Sequence, residues 1–113
     1  MGDGSFGMCA GELETLVRLQ LPITAVVISN ATYGWIKAGQ RAGYGQRYFS
    51  VDFSATDHAA VARGFGMRSW RVTEPSALAP ALKEALSAGE PTLVDIVCQP
   101  LHEAKAPVSE WVA

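Results

Sequence analysis

The 113-residue sequence predicts an α/β fold, a partial three-layer sandwich around a mainly parallel sheet. Two kinds of observation predict it. Short runs rich in β-branched residues, Ile23 to Ile28 and Thr92 to Cys98, read as strands of the buried type, and stretches of helical period alternate with them. A third observation qualifies the prediction: a glycine turn at the very start leads straight into a helix, so the strand or strands that should precede it are expected to be missing.

The elements follow in order. From Phe6 to Gln20 the apolar residues Phe6, Cys9, Ala10, Leu13, Leu16 and Val17 recur at helical spacing. Leu21-Pro22 ends that helix, because the residue before proline is pushed out of the α region. The strand Ile23 to Ile28 reads as buried on both faces. Asn30-Ala31-Thr32-Tyr33-Gly34 is a loop, Trp35 to Arg41 a short helix, and Ala42 to Ser54 a glycine- and aromatic-rich stretch without a clean period. Asp57 to Phe65 is a helix capped by Thr56 or Asp57 and stopped by Gly66. Ser69 to Val72 is a short strand. Pro75 suits a first helical turn, and Leu78, Leu82, Ala85 and Leu86 form one face before Gly89. Residues 1–98 form the domain, and 99–113 a tail with Trp111 docked near its end.

With 49% hydrophobic residues in so short a chain, one small core is expected. A net charge of -2 and the absence of a Lys/Arg cluster exclude a phosphate-tracking surface for nucleic acid; Arg68 and Arg71 read as solvated. There is no apolar run near the ~20 residues of a membrane span, and no secretory signal, so a cytoplasmic location is expected. Cys9 and Cys98, without metal-ligand spacing, read as buried reduced thiols. His58 reads as surface or half-buried and His102 as a tail residue; neither is expected to be catalytic. Glu14 and Arg18 should pair at i,i+4 on an exposed helix face.

The chemistry concentrates in Gly2-Asp3-Gly4 and Asn30. Asn30 follows the strand Ile23 to Ile28 at its carboxyl end, and the glycine turn opens into the first helix, the position of a loop leaving the carboxyl end of the preceding strand. In doubly wound sheets ligands bind outside those ends. Strands neighbour one another at ~4.8 Å, so if these two are adjacent, Asp3 and Asn30 reach one ion. Gly2 and Gly4 permit close backbone approach, and the helix after Ser5 presents N–H groups to an anion. Asp3 offers a hard anionic oxygen and Asn30 a neutral one, a set suited to Mg²⁺ sharing phosphate oxygens.

The pair of motifs, Gly2-Asp3-Gly4-Ser5-Phe6 and Ile28-Ser29-Asn30-Ala31-Thr32-Tyr33-Gly34, with 25 residues between Gly4 and Asn30, resembles the thiamine diphosphate-dependent enzymes. In those, a GDG turn is followed after some two dozen residues by Asn-Asn or a close variant. The resemblance is to the C-terminal diphosphate-binding domain of the acetolactate synthase, benzoylformate decarboxylase and pyruvate decarboxylase group, and runs to about Cys98. It implies thiamine diphosphate and Mg²⁺ as cofactors. It implies Asp3, the Asn30 side chain and the Thr32 carbonyl as metal ligands, and Gly2, Asp3, Gly4, Ser5, Asn30, Thr32, Tyr33 and Gly34 as cofactor-binding residues.

Two departures stand out. Ser29 occupies the first Asn position, which should matter little because the second Asn is the ligand. Trp35 and Gly39 stand where acetolactate synthases carry Met and Trp, so acetolactate synthesis itself is put in doubt. Trp35 is left open between lining the substrate channel and packing in the core.

The resemblance further implies a 2-oxo acid substrate, a homo-oligomer in the full-length protein, and a pyrimidine-binding domain or subunit that supplies a glutamate absent here. No catalytic residue is assigned within the chain, which is expected to be part of a larger enzyme or a truncated gene product, inactive alone. The alternative is a non-catalytic α/β module or partner-interaction fragment, with an unpaired sheet edge open to another chain.

Overall fold

The computed structural model describes residues 1–100; the tail beyond, with His102 and Trp111, lies outside the described residues. The chain divides into two compact units, one of residues 1–29 and 57–98, the other containing residues 30–56.

The first unit holds a three-stranded, all-parallel sheet of β1 (Thr24–Ser29), β2 (Arg68–Val72) and β3 (Thr92–Val97), in the order β1-β3-β2. The central strand is β3, and Thr92, Leu93, Val94 and Asp95 have no exposed surface. Side chains alternate across the sheet. On one face Ala25, Val27 and Leu93 pack with Phe6 of helix α1 (Asp3–Cys9), Leu13 of α2 (Glu12–Arg18), Ala59 and Ala62 of α4 (His58–Gly64), and Met67. On the other, Val72 and Val94 pack with Ala81 and Ala85 of α5 (Pro75–Ser87). Helix, sheet and helix make the expected three layers.

The first helix differs from expectation. Instead of one helix from Phe6 to Gln20, α1 and α2 meet at Ala10-Gly11, where Leu13 N–H reaches Ala10 O (3.2 Å) and Glu14 N–H reaches Gly11 O (3.2 Å). These three-residue bonds tighten the chain for a turn without turning the apolar face away from the sheet. The segment ends at Gln20, in the left-handed region (φ 51°), before Pro22 can act. Glu14 and Arg18 pair at 2.9 Å as anticipated.

β1 is not buried on both faces. Val27 is fully buried, while Ile28 is 40% exposed. The helix on that face, α5, packs on β3 and β2, leaving the β1 side less covered. The thiols also depart from expectation: Cys9 and Cys98 are free but exposed, because Cys9 lies at the outer end of α1 and Cys98 just past β3.

Helix α4 forms as its cap signals indicate. Asp57 is the N-cap and accepts the Ala60 N–H at 2.7 Å, and Gly66 takes φ 90° after the last turn. The Ala60 N–H holds the Asp57 carboxyl below its ordinary 3.8; burial opposes this, and Arg71 and Arg63 reinforce it. A carboxyl depressed in the fold stabilises it above the ordinary pKa, and that stabilisation fades as pH falls through the lower folded value. Replacement of this cap, Asp57→Ala, is expected to cost about 1 kcal/mol near neutrality. The deficit should shrink as pH falls from ~4 through the depressed folded value, where the wild-type carboxylate becomes protonated. Urea unfolding of both proteins at pH 7 and pH 3 checks this; an equal deficit at both would contradict it.

The second unit contains α3 (Gly34–Gly43) and an irregular return segment. The helix runs two residues past the expected Arg41 and buries none of its residues. Trp35 is 75% exposed, which removes the core-packing reading of that ring within this chain.

Candidate functional site

The first half of the site is built at the edge of the parallel sheet. Gly2 forms a parallel bridge with Ile28, the Met1 amino group donates to Val26 O (2.7 Å), and Ile28 N–H donates to Met1 O (2.8 Å). Met1 and Gly2 thus continue the sheet beyond β1 as the last two residues of a parallel strand would. The glycine turn leaves the sheet beside Ile28, near the carboxyl end of β1, and Asn30 follows Ser29, the last residue of β1, in the sequence.

Helix α1 begins at Asp3, not after Ser5, so Gly4 and Ser5 lie in its first turn. The first helical bond is Phe6 N–H to Gly2 O (2.9 Å), so the preceding N–H groups lie outside the helical ladder. Asp3 is 7% exposed, and its Oδ1 accepts the Gly4 N–H at 2.9 Å. Gly2 has an ordinary extended backbone (φ -82°, ψ 162°), and a Cβ there would meet nothing within 4 Å. Its lack of a side chain answers no need among the described residues.

The other predicted residues form one tight turn in the second unit. Asn30 Oδ1 accepts the Thr32 N–H (3.2 Å) across Ala31, which sits in the left-handed region at φ 57°. For a residue with a Cβ that conformation is costly and persists only where neighbours impose it. Here the return segment does so: Phe53 N–H donates to Ala31 O (2.8 Å), Tyr33 N–H to Val51 O (2.8 Å), and the Thr32 hydroxyl to Val51 O (2.9 Å). The Tyr33 ring stands edge-on to Phe53 at 4.3 Å, and Lys37 of α3 grips Asp52 at 2.8 Å. Thr32 is buried, and Gly34 opens α3 with the Asn30 amide nitrogen 4.0 Å from where its Cβ would stand. The turn is pre-formed by its own unit.

One constellation was not anticipated. On the sheet face carrying Ala25, Val27 and Leu93, the row turns polar toward the carboxyl ends, where Ser29, Asp95 and Arg71 stand. The Ser29 hydroxyl donates a short hydrogen bond to Asp95 Oδ1 and lies 2.9 Å from His58 Nδ1. Asp95 Oδ2 accepts the His58 backbone N–H (3.1 Å) and lies 3.4 Å from Arg71 Nη1. The His58 ring packs edge-on against Phe6 at 5.1 Å.

His58 is therefore buried, not surface or half-buried, because the α4 start is drawn onto the Asp95 carboxylate. Arg71 is not simply solvated; it lies between Asp95 and Asp57. Ser, His and Asp are the residue types of a nucleophilic triad, but the hydroxyl bridges the other two and all three are buried, leaving no exposed nucleophile. A signal was present in the sequence: an aspartate inside a strand of the buried type must find partners.

Among the described residues no cluster of three His, Cys, Asp or Glu side chains could hold a metal alone. The available donors are one carboxylate, one amide oxygen and a backbone carbonyl. Each is a hard oxygen donor of the kind that suits Mg²⁺. Asp3 also marks the electrostatics of the sheet end. The Cys98 thiol is pushed up, first by burial and then by the Asp3 charge.

The profile of the family described as thiamine pyrophosphate enzyme, C-terminal TPP binding domain, matches residues 1–96. The chain belongs to this family. It is 35% identical over 100 residues to a probable acetolactate synthase large subunit of Methanococcus aeolicus, covering 88% of this chain and 17% of that protein. It is 38% identical over 95 residues to the acetolactate synthase of Bacillus subtilis (strain 168), covering 84% of this chain and 16% of that protein. Its fold matches the crystal structure of benzoylformate decarboxylase from Polynucleobacter necessarius with a TM-score of 0.83, at 26% identity over 88% of this chain and 19% of that one. The chain thus corresponds to roughly one-sixth of the length of these curated relatives. It is a TPP-binding domain of the acetolactate synthase-like and decarboxylase group.

Proposed function

We propose that this domain anchors the diphosphate of thiamine diphosphate through Mg²⁺, within an enzyme that decarboxylates or ligates 2-oxo acids. The observation that supports the reading is the parallel bridge between Gly2 and Ile28, which brings the glycine turn to the carboxyl end of β1, the strand that Asn30 follows in the sequence. Asp3, the Asn30 amide oxygen and the Thr32 carbonyl would ligate the ion. Gly2, Gly4, Ser5, Tyr33 and Gly34 would line the diphosphate, Ser5 reaching it through its hydroxyl and Gly4 through its backbone N–H once that group leaves Asp3 Oδ1. Gly2 then owes its identity to ligand approach, since neither its backbone angles nor its neighbours require glycine.

When bound, thiamine diphosphate supplies carbanion stabilisation. This chain's own residues contribute binding and orientation. The left-handed Ala31, pinned by Phe53, holds the turn in one shape before any ligand arrives. A pyrimidine-binding domain or subunit would supply the glutamate that activates the cofactor, and a homo-oligomer would bring the two together. Exposed Trp35, Ile36, Tyr44 and Phe49 in the second unit offer apolar surface for that contact.

Titration calorimetry on the full native polypeptide tests the reading. Thiamine diphosphate should give heat only with Mg²⁺ present, and pyruvate or a related 2-oxo acid should then be consumed. A folded protein giving no Mg²⁺-dependent heat would overturn it.

A further inference from the structure

We propose that Ser29, through Asp95 and His58, is a positioning residue for the Asn30 turn. This inference rests on the reading of Asn30 as a metal ligand. Its basis is a single buried carboxylate that holds the parts of the first unit leading to the site. Asp95 belongs to the central strand and has no exposed surface. Its Oδ1 takes the hydroxyl of Ser29, which ends β1. Its Oδ2 takes the backbone N–H of His58, which begins α4, and faces Arg71 of β2. The His58 ring closes the arrangement from the other side, with Nδ1 2.9 Å from the Ser29 hydroxyl and its edge on Phe6 of α1. The helix opened by Asp3 and the strand that ends one residue before Asn30 are therefore joined through one side-chain cluster.

Ser29 is the only member of this cluster adjacent in sequence to a proposed ligand. Its backbone is held as well: Cys98 N–H donates to Ser29 O at 2.9 Å. A residue bonded through hydroxyl and carbonyl leaves little freedom in the direction in which the next residue departs. A serine here sets its hydroxyl between a carboxylate and an imidazole nitrogen, within hydrogen-bonding reach of both. Support of this kind behind metal ligands is typically worth 10–100-fold in metal affinity.

The test is Mg²⁺ affinity at saturating thiamine diphosphate, measured by calorimetry on the full native polypeptide for wild type, Ser29→Ala, Ser29→Thr and Asn30→Ala. Ser29→Ala should weaken Mg²⁺ about tenfold or more. Ser29→Thr, which restores the hydroxyl, should return affinity to within about threefold of wild type, a rescue that simple packing at this position would not produce. Wild-type affinity in Ser29→Ala beside lost binding in Asn30→Ala would overturn the positioning role alone. A threonine variant as weak as the alanine variant, both folded by circular dichroism, would also overturn it. Undiminished binding in Asn30→Ala would overturn the ligand reading and this inference with it. If Ser29→Ala does not fold, the Ser29→Thr affinity decides by the same threefold criterion.

Discussion

Asp3→Ala should abolish Mg²⁺-dependent thiamine diphosphate binding and leave the fold in place. Asp3 is the one carboxylate among the proposed ligands, so its removal leaves two neutral oxygens to hold a doubly charged ion beside a diphosphate. Residues merely supporting ligands cost 10–100-fold, so losing the anionic ligand should exceed about 100-fold. The structural cost is small by comparison. Asp3 opens α1 and accepts its neighbour's N–H, and an acidic residue at a helix start contributes about 0.3–1 kcal/mol. Calorimetry reads the first effect and thermal unfolding the second; retained affinity in a folded variant would remove Asp3 from the site. A separate readout comes from Cys98, whose thiol is raised partly by the Asp3 charge. In Asp3→Ala that part is lost, so site-resolved alkylation of Cys98 near pH 8 should quicken. An unchanged rate would mean that Asp3 does not face the end of β3.

Asp95→Ala should be the most destabilising single substitution in the cluster. Truncation leaves the buried His58 N–H without its acceptor, removes one partner each from the Ser29 hydroxyl and Arg71, and opens a void beside Leu93 and Val27. Leaving a buried polar group unsatisfied costs about 1–3 kcal/mol and the void adds to it, whereas exposed ion pairs such as Arg18–Glu14 contribute well under 1. At this size each 1 kcal/mol lowers Tm by roughly 4–8 °C, so a fall of more than ten degrees is expected. Asp95→Asn, which keeps the shape and an acceptor oxygen, should fall between. A shift of only two or three degrees in Asp95→Ala would mean that water or rearranged side chains satisfy the cluster without the carboxylate.

The two predictions concern residues of very different legibility. Asp3 could be found from the chain alone because its neighbours are local: glycine on each side, a helix beginning at once, and Asn30 at a fixed distance along the sequence. The same holds for α4, whose Asp57 cap and Gly66 stop act within a few residues, and for the strands, whose β-branched runs were placed within one residue of their bounds. The cluster around Asp95 draws on residues at positions 29, 58, 71 and 95. Nothing in local spacing pairs a serine with an aspartate 66 positions away. The burial of His58 follows from that pairing and was missed for the same reason. The exposed thiols were missed because helical period identifies a face without saying whether another element covers it.

The sequence by itself determined the α/β class, the order of elements, and the two motifs that place this chain among thiamine diphosphate-binding domains. These depend on backbone preferences and side-chain periods that act over one or two turns. Only the tertiary structure decided that Gly2 lies beside Ile28 and that Ser29 is tied to His58 and Asp95. Only it decided that α5 covers β2 and β3 more fully than β1. Each of those depends on which strand becomes the neighbour of which, and in a parallel sheet that choice is made by crossovers between residues far apart in the chain.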